Sequence, residues 1–347
     1  MPPLFAAGDR IAILAHDHFP DEAKTAVGVL RYGDVQVSAI LDRDKAGDSV
    51  AEHAPDLPDA PIVGSFDEVP TDVDALVIGI APFGGGFDER WRSDVRAALE
   101  AGCDVVSGLH DVLAEDEEFA ALAARHGGTI HDVREPPADV PLGSGAAAAV
   151  DTPVVLTVGT DGGVGKMTTT VELVRAARRR EIDAGFVPTG QTGIMIAGRG
   201  IAIDRVAADF VSGAVEQMIL EAAPDHDVLF VEGQGSITHP AYSADTCGIL
   251  HGAMPDKVVL VHDADRDALE GFESFAIPDP GTYVDLYESV AAPVHETEVA
   301  AGALDTSAAE SDAAARDLLE SYAGAIDAPA TDVVRFSADE ILDDVLA

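Results

Sequence analysis

The chain has 347 residues, 47% of them hydrophobic, and carries 63 acidic against 21 basic side chains, a formal net charge of −42. That length accommodates two domains of ordinary size, and that hydrophobic content excludes a disordered acidic chain. The charge argues against nucleic-acid binding through a basic face, and two distant cysteines, Cys103 and Cys247, exclude a disulfide scaffold or a paired-cysteine metal site.

In chain order, the first part alternates short apolar runs with helix-like stretches. The runs are RIAILAH (10–16), VQVSAIL (35–41), ALVIGIA (75–81) and DVVSGLH (104–110). The segments 21–32, 88–102 and 111–126 lie between and after them, and Trp91, Val95, Ala98 and Leu99 fall at helical spacing. This alternation predicts a parallel sheet with right-handed crossovers. The turn after the first run, HDHFPDE, holds no glycine, so it lacks the cradle that a dinucleotide pyrophosphate needs. The glycines of APFGGGFDE (81–89) would let backbone approach a ligand, but an ordinary flexible strand-to-helix loop is the favoured reading. The Pro-, Gly- and Ala-rich stretch that begins at Pro136 is read as a linker over 141–152, between a domain at 1–140 and one at 153–347. The second domain repeats the pattern. Strands are predicted at 154–159, 183–189, 227–233, 257–263 and 332–336, and helices at 166–180, 204–223, 307–323 and 337–346.

The strand VVLTVG runs directly into Thr160-Asp-Gly-Gly-Val-Gly-Lys166, which opens a helix. Successive backbone N–H groups at a helix start make an anion cradle, and a lysine neutralises phosphate charge. We therefore assign phosphate binding to Gly159, Thr160, Asp161, Gly163, Val164, Gly165, Lys166, Met167, Thr168 and Thr169. Met167 stands where such loops place a Mg²⁺-binding hydroxyl, and a thioether is a poor ligand for that hard ion. The loop is thus expected to hold phosphate without metal-assisted transfer, as the pyrophosphate of coenzyme A would require, and no metal site is assigned. Inward-pointing, Asp161 would repel phosphate, so it is expected to bind Mg²⁺, a substrate amine or the loop backbone.

Several further segments carry a family resemblance: PTGQTGIMIAGRG (188–200), IDRVAADFVSGAVEQ (203–217), VEGQGSITHPAYS (231–243) and HGAMPDKVVLVHDADR (251–266). With the phosphate loop and with IVGSFDEVP (62–70), ALVIGIAPFGG (75–85) and DVVSGLHD (104–111), the chain resembles the two-domain family known as domain of unknown function 1611. The resemblance spans nearly the whole chain. It implies an α/β fold, with a Rossmann-like N-terminal domain and a C-terminal P-loop NTPase-like domain on a parallel sheet. It also implies the activity of D-glutamate N-acetyltransferases, which move acetyl from acetyl-CoA to the amino group of a D-amino acid.

Candidate chemistry sits at strand ends. Glu232 closes the strand VLFVE and suits a general base for an amine, and His239 in the following loop is the second acid/base candidate. Gln234, Ser236, Tyr242 and Ser243 in the same loop, with Gln191 and Thr192 between glycines, are the polar groups expected to hold substrate. Arg199 and Arg205 offer the guanidinium forks a substrate carboxylate needs, while Asp204 and Asp209 read as helix caps. An ATP-dependent ligase or kinase, with ATP and Mg²⁺ at the loop, is the competing enzyme reading, because a similar Gly-Thr-Asp opening occurs in dethiobiotin synthetases. A non-catalytic nucleotide-binding protein is the non-enzymatic alternative.

The acidic residues are dispersed along the whole chain rather than gathered in a tail. A dispersed acidic surface suits concentrated salt, where the Debye length falls to about 3 Å at 1 M. The expected setting is a salt-in cytoplasm of haloarchaeal type. No leader pattern and no apolar run of about 18 residues is present, so no membrane partner is expected. A soluble homo-oligomer acting on a small amino acid is the expected form.

Overall fold

The computed structural model describes residues 3–6, 8–80 and 85–347. Residues 81–84, the first part of the glycine loop discussed above, lie outside them. The chain divides into two compact units, one of residues up to 136 plus 191–202 and one of residues 137–190 plus 203–347.

In the first unit the strands are β1 (Arg10–Leu14), β2 (Gln36–Leu41), β3 (Ile62–Val63), β4 (Ala75–Ile78), β5 (Asp104–Ser107) and β6 (Ile130–Asp132). All pair in parallel in the order β3-β2-β1-β4-β5-β6, so the sheet reverses direction of growth between β1 and β4. Helices α1 (Lys24–Tyr32), α2 (Val50–His53), α3 (Arg92–Glu100) and α4 (Glu117–His126) supply the crossovers. β1 and β4 are almost wholly apolar and buried, as strands covered on both faces must be. The 88–102 segment opens with a short 3₁₀ turn, Glu89–Trp91, because the Asp88 carboxylate accepts from the Arg90 N–H at 2.8 Å. Asp116 likewise starts α4 six residues later than the periodicity suggests, by capping Glu118 and Phe119.

The second unit is built on β7 (Val154–Gly159), followed by α5 (Lys166–Arg179) and β8 (Ala184–Val187). Next comes α6 (Gln191–Ala197), a helix the sequence pattern did not reveal, which belongs to the first unit and packs Ile194 and Met195 into that unit's core. The second unit continues with α7 (Val211–Ala222), β9 (Val228–Val231), α8 (Ser243–Ala253) and β10 (Lys257–Asp263). A small antiparallel hairpin of β11 (Ala268–Leu269) and β12 (Phe272–Ala276) precedes α9 (Pro280–Ala291). Then follow β13 (Glu298–Asp305), α10 (Asp312–Ile326), β14 (Ala330–Thr331) and α11 (Leu342–Leu346). The sheet is parallel throughout, in the order β14-β13-β10-β7-β9-β8.

Three expectations for this unit are corrected. The segment Asp332–Phe336 is not a strand: β14 ends at Thr331 and Val333–Ser337 forms one wide helical turn. The cause is Asp332, whose Oδ1 accepts from the Val334 and Arg335 N–H groups while Oδ2 binds Thr306. The helix expected over 204–223 starts as a helix only at Val211, after two short turns at 203–205 and 208–210, and neither Asp204 nor Asp209 caps it. The helix expected from 307 begins at Asp312, where Ser311 accepts from the Ala314 N–H.

The Pro- and Gly-rich stretch after Pro136 is tied down. Buried Glu216 on α7 accepts from Ser144 N–H, Ser144 Oγ and Ala146 N–H at 2.7–2.8 Å. Those bonds, despite the opposing effect of burial, hold its carboxyl below the usual range. Gly213 on α7 leaves room for the Pro141 carbonyl, which any Cβ would strike.

Candidate active site

The phosphate loop follows directly from local sequence. β7 is buried along its whole length and delivers Gly159 to the C-terminal edge of the sheet. Gly163 and Gly165 take φ of +67° and +99°, conformations that side chains avoid, and let the chain turn into α5. Gly159 is close-packed, since a Cβ there would lie 2.9 Å from the Lys166 ammonium. Val164 packs into the core under the loop. Behind the loop, Thr157 and Thr170 share a hydroxyl hydrogen bond of 2.8 Å, and Thr170 also donates to the Lys166 carbonyl. Thr169 is buried, Met167 and Thr168 are half-buried at the first turn of α5.

Polar bracing of this loop is dense. Tyr283 and Tyr287, one turn apart on α9, donate to the carbonyls of Thr160 and Gly159 at 2.9 and 2.8 Å. Thr160 Oγ1 pairs with His262 Nδ1 at 2.8 Å, at the end of β10. Asp161 is fully buried and turns both carboxylate oxygens to protein groups. Oδ1 accepts from the Gly162 N–H, and Oδ2 from Arg266 and from the Glu270 N–H at 3.1 and 2.8 Å. Arg266 also donates to the Gly162 carbonyl and to Glu270. Asp161 therefore serves the loop backbone and a guanidinium, the third of the roles allowed for it above.

Lys166 is buried, and its ammonium donates to the Asp161 carbonyl at 2.6 Å. Burial pulls its pKa down to about 8, against the opposing charges of Asp161 and Glu232. Glu232, 4% exposed at the end of β9, shows the reverse. Burial pushes its carboxyl up to about 7, and the hydrogen bonds from Thr189 N–H, Gly190 N–H and Gln234 only partly offset this. Those N–H groups reach Oε2 at 3.1 and 3.2 Å, and Thr189 Oγ1 donates to the Glu232 carbonyl at 2.6 Å. Two oppositely charged groups, both shifted toward neutrality, thus sit at neighbouring strand ends, where open parallel sheets take ligands.

His239 is buried beside them. Its Nδ1 accepts from the Ala241 and Tyr242 N–H groups at 3.1 and 3.3 Å, so Nε2 carries the proton, 3.9 Å from Asp161 Oδ1. Burial lowers its pKa. The ring stacks on Tyr242 at 4.5 Å and meets the edge of Phe272, on the hairpin, at 5.0 Å.

Of the residues assigned to substrate, Gln234 donates to Thr189 Oγ1, Ser236 is buried against Thr238, Tyr242 is exposed and Ser243 begins α8. All four lie in the second unit with the loop. Arg205 is exposed in the turn at 203–205. Gln191, Thr192 and exposed Arg199 belong to the first unit, where Thr192 Oγ1 bonds Thr25 Oγ1 at 2.8 Å. Sequence reading overlooked Thr189, His262, Arg266, Tyr283 and Tyr287. For Arg266 a signal existed, since it follows a strand end; the tyrosine pair lay on a helix that was not expected.

Strand, glycine loop, buried lysine and helix on a parallel sheet define a P-loop α/β protein carrying a Rossmann-like unit. The chain belongs to the family described as domain of unknown function DUF1611: its P-loop domain matches residues 141–342 and its Rossmann-like N-terminal domain matches residues 43–136. A crystal structure of a DUF1611 family protein from Anabaena variabilis superposes with a TM-score of 0.92 at 39% identity, covering 98% of this chain and 99% of that one. A D-glutamate N-acetyltransferase from Pseudoalteromonas is 40% identical over 212 residues, 61% of this chain and 63% of that protein. One from Tritonibacter scottomollicae is 39% identical over 203 residues, 58% of this chain and 60% of that protein. The match thus spans about three fifths of the length of these curated relatives. No helix among the described residues is long and apolar enough to cross a membrane.

Proposed function

We propose that the chain is an acetyl-CoA-dependent N-acetyltransferase acting on D-glutamate or a related D-amino acid. Two relatives at about 40% identity are named D-glutamate N-acetyltransferase, and the residues present suit an acetyl-CoA donor. The loop N–H groups and Lys166 suit the phosphates of coenzyme A. The observation that carries the reading is Glu232, a buried carboxyl with a pKa of about 7 at the strand end beside that loop.

An amino acid arrives as an ammonium and must lose a proton before its nitrogen can attack. Glu232 in its ionised form takes that proton, and a base poised near neutrality does so efficiently. The nitrogen then bonds to the thioester carbonyl carbon, the carbon–sulfur bond breaks, and the thiolate leaves with the electron pair. The second nitrogen proton passes to that thiolate or to water. Loop N–H groups from Gly233 to Ser236 are the candidates for holding the charge that develops on the carbonyl oxygen. His239 presents a donor, Nε2–H, which suits orientation of an acceptor group rather than proton removal. Direct transfer is preferred because burial raises the pKa of both Cys103 and Cys247, leaving neither an activated nucleophile.

Calorimetry with acetyl-CoA, and separately with ATP and Mg²⁺, tests the binding half; tight ATP–Mg²⁺ binding without an acetyl-CoA response would overturn the reading in favour of a ligase or kinase. A thiol-release assay over D- and L-amino acids tests the rest. We further propose adaptation to concentrated salt, on the strength of the dispersed −42 charge, together with a cytoplasmic homo-oligomeric form, which that charge does not itself support. Loss of the folded state on dilution into low salt is the expected result, and sedimentation in high salt reads the assembly.

A further inference from the structure

Aromatic side chains are scarce in this chain, 5% of its residues, and its surface is strongly acidic. Among the described residues the exposed rings are those of Phe210, Tyr242, Phe272 and Phe275. Two of the four, Tyr242 and Phe272, flank a single buried imidazole, that of His239, and Phe275 lies on the same strand as Phe272. One exposed ring needs no explanation, whereas a cluster of them at a strand-end site does.

The cluster is held in place from two sides. His239 is buried, and its Nδ1 accepts from the Ala241 and Tyr242 N–H groups, which fixes the plane of its ring. Tyr242 lies on that ring at a centroid separation of 4.5 Å and an angle of 27°, and Phe272 crosses it at 5.0 Å and 78°. Gly235, with φ of +60°, lets the loop pass close to Tyr242, since a Cβ there would come within 2.7 Å of the tyrosine Cβ. Thr246 secures the same turn by donating to the Gln234 carbonyl at 2.7 Å. On the other side, buried Leu269 and the Glu270 N–H, which bonds Asp161 Oδ2 at 2.8 Å, anchor the hairpin, while every residue of β12 is exposed. One face of Tyr242 is taken by His239, so the exposed 48% of the residue belongs to the rest of it.

Both anchors lead to Asp161, a residue of the phosphate loop itself. His239 Nε2 is 3.9 Å from its Oδ1, and the hairpin turn bonds its Oδ2. The aromatic ledge is therefore continuous with the loop. An aromatic face pairs well with another flat ring. Of the groups that the acetyl-transfer reaction would bring here, the acetyl group, the pantetheine arm and D-glutamate have no ring, and only the adenine of coenzyme A has one. A single ribose joins that adenine to the pyrophosphate, so the ring must settle within a sugar's length of the loop. We propose that Tyr242 and Phe272 form the stacking site for the adenine of the nucleotide whose phosphates the loop holds. The identity of the ring rests on the acetyl-CoA reading given above; ATP, the competing ligand, carries the same ring. Tyr242 is thereby reassigned from the acceptor amino acid to the donor.

The test uses the full chain in high salt, with Phe272→Trp as a fluorescent reporter. The chain's own tryptophan, Trp91, is buried in the first unit and supplies a constant background. A stacked purine quenches indole emission, so ADP and acetyl-CoA should both quench the reporter. Inorganic pyrophosphate, which occupies the loop without a ring, should not. In calorimetry Tyr242→Ala and Phe272→Ala should each weaken ADP and acetyl-CoA about fivefold to a hundredfold, the value of one base–aromatic stack. Pyrophosphate and acetyl-phosphopantetheine, which lack adenosine, should bind both variants as they bind the parent chain. Acetyl-CoA that binds without quenching, or an alanine variant that weakens acetyl-phosphopantetheine as much as acetyl-CoA, would overturn the stacking site and leave the acetyltransferase reading intact. Quenching by ADP with no binding of acetyl-CoA would support the site and overturn that reading. Emission that follows protein concentration and neither nucleotide would mean that a second copy covers the ledge, and would overturn the site as well.

Discussion

The polar groups at the strand ends of the second unit are nearly all spoken for, whereas those of the first unit are not. Around the phosphate loop Asp161 uses both oxygens, Thr160 its hydroxyl and carbonyl, and Gly159 its carbonyl. At the ends of β1 and β2, buried His16 Nδ1 has no hydrogen-bond partner among the described residues, and Asp42 Oδ2 has only the Lys45 ammonium, at 3.5 Å. The difference separates a fully braced loop from strand ends whose hydrogen bonding is incomplete. A loop whose own bonds are complete is rigid before anything binds, so it offers preorganised N–H groups at no reorganisation cost. A buried ring nitrogen without a partner instead leaves a hydrogen bond unmade.

Substitutions at Glu232 bear on the second unit most heavily. Glu232→Gln should lower turnover roughly a hundredfold to ten-thousandfold, the usual contribution of a general base, with acetyl-CoA affinity retained in calorimetry. Equal turnover would remove Glu232 from the chemistry. The same substitution should raise the melting temperature at pH 8. A carboxyl whose folded pKa is raised from 4.5 to about 7 destabilises the fold increasingly as pH climbs through that interval. The neutral amide carries no such penalty, so its advantage, on the order of a few kcal/mol, should vanish near pH 4. A stability gap independent of pH would show that the buried carboxylate is not its source.

Lys166→Ala should weaken acetyl-CoA binding by about 1.5–3 kcal/mol, the value of a charge-assisted hydrogen bond. Because burial brings Lys166 down to about 8, its charge should fade as pH rises through that value. Turnover, which needs ionised Glu232 and charged Lys166, should therefore be largest between about pH 7 and 8 and fall on both sides. A plateau extending to pH 10 would sever Lys166 from binding.

The smallest effects test the contrast between the units directly. Asp161→Ala leaves the Glu270 N–H without its acceptor and takes from the Arg266 guanidinium one of its three, at about 1–3 kcal/mol in denaturant titration. Asp42→Asn keeps an Oδ1 acceptor for Asp17 and Asp44 and gives up only the 3.5 Å ion pair of Oδ2 with part-exposed Lys45, so it should cost less than Asp161→Ala in the same titration. If Asp42→Asn is the costlier of the two, the contrast fails.

Much of this was legible in the sequence wherever a local rule decided the outcome. β7, the glycine loop and α5 announce themselves, because an apolar strand, glycines at left-handed positions and a lysine at a helix start lie contiguous in the chain. Glu232 was legible for a similar reason, as an acid at the end of an apolar run. The misreadings arose where a side chain overruled the pattern. Asp332 sits at the head of an apolar segment, and its carboxylate converts a strand pattern into a helical turn. α8, with Thr, Cys and two glycines, has little apolar periodicity, and the start of α9 depends on Asp279 capping Gly281. The role of Arg266 and the unpartnered Nδ1 of His16 arise from tertiary placement alone, and no spacing in the chain encodes them.

The allocation of α6 has a consequence for biosynthesis. The first unit is completed by residues 191–202, although β7, α5 and β8 are translated before them. A ribosome must therefore emit 202 residues before the core that receives Ile194 and Met195 can close. An excised fragment ending at Pro136 would expose that apolar socket to solvent, and should aggregate where the full chain does not.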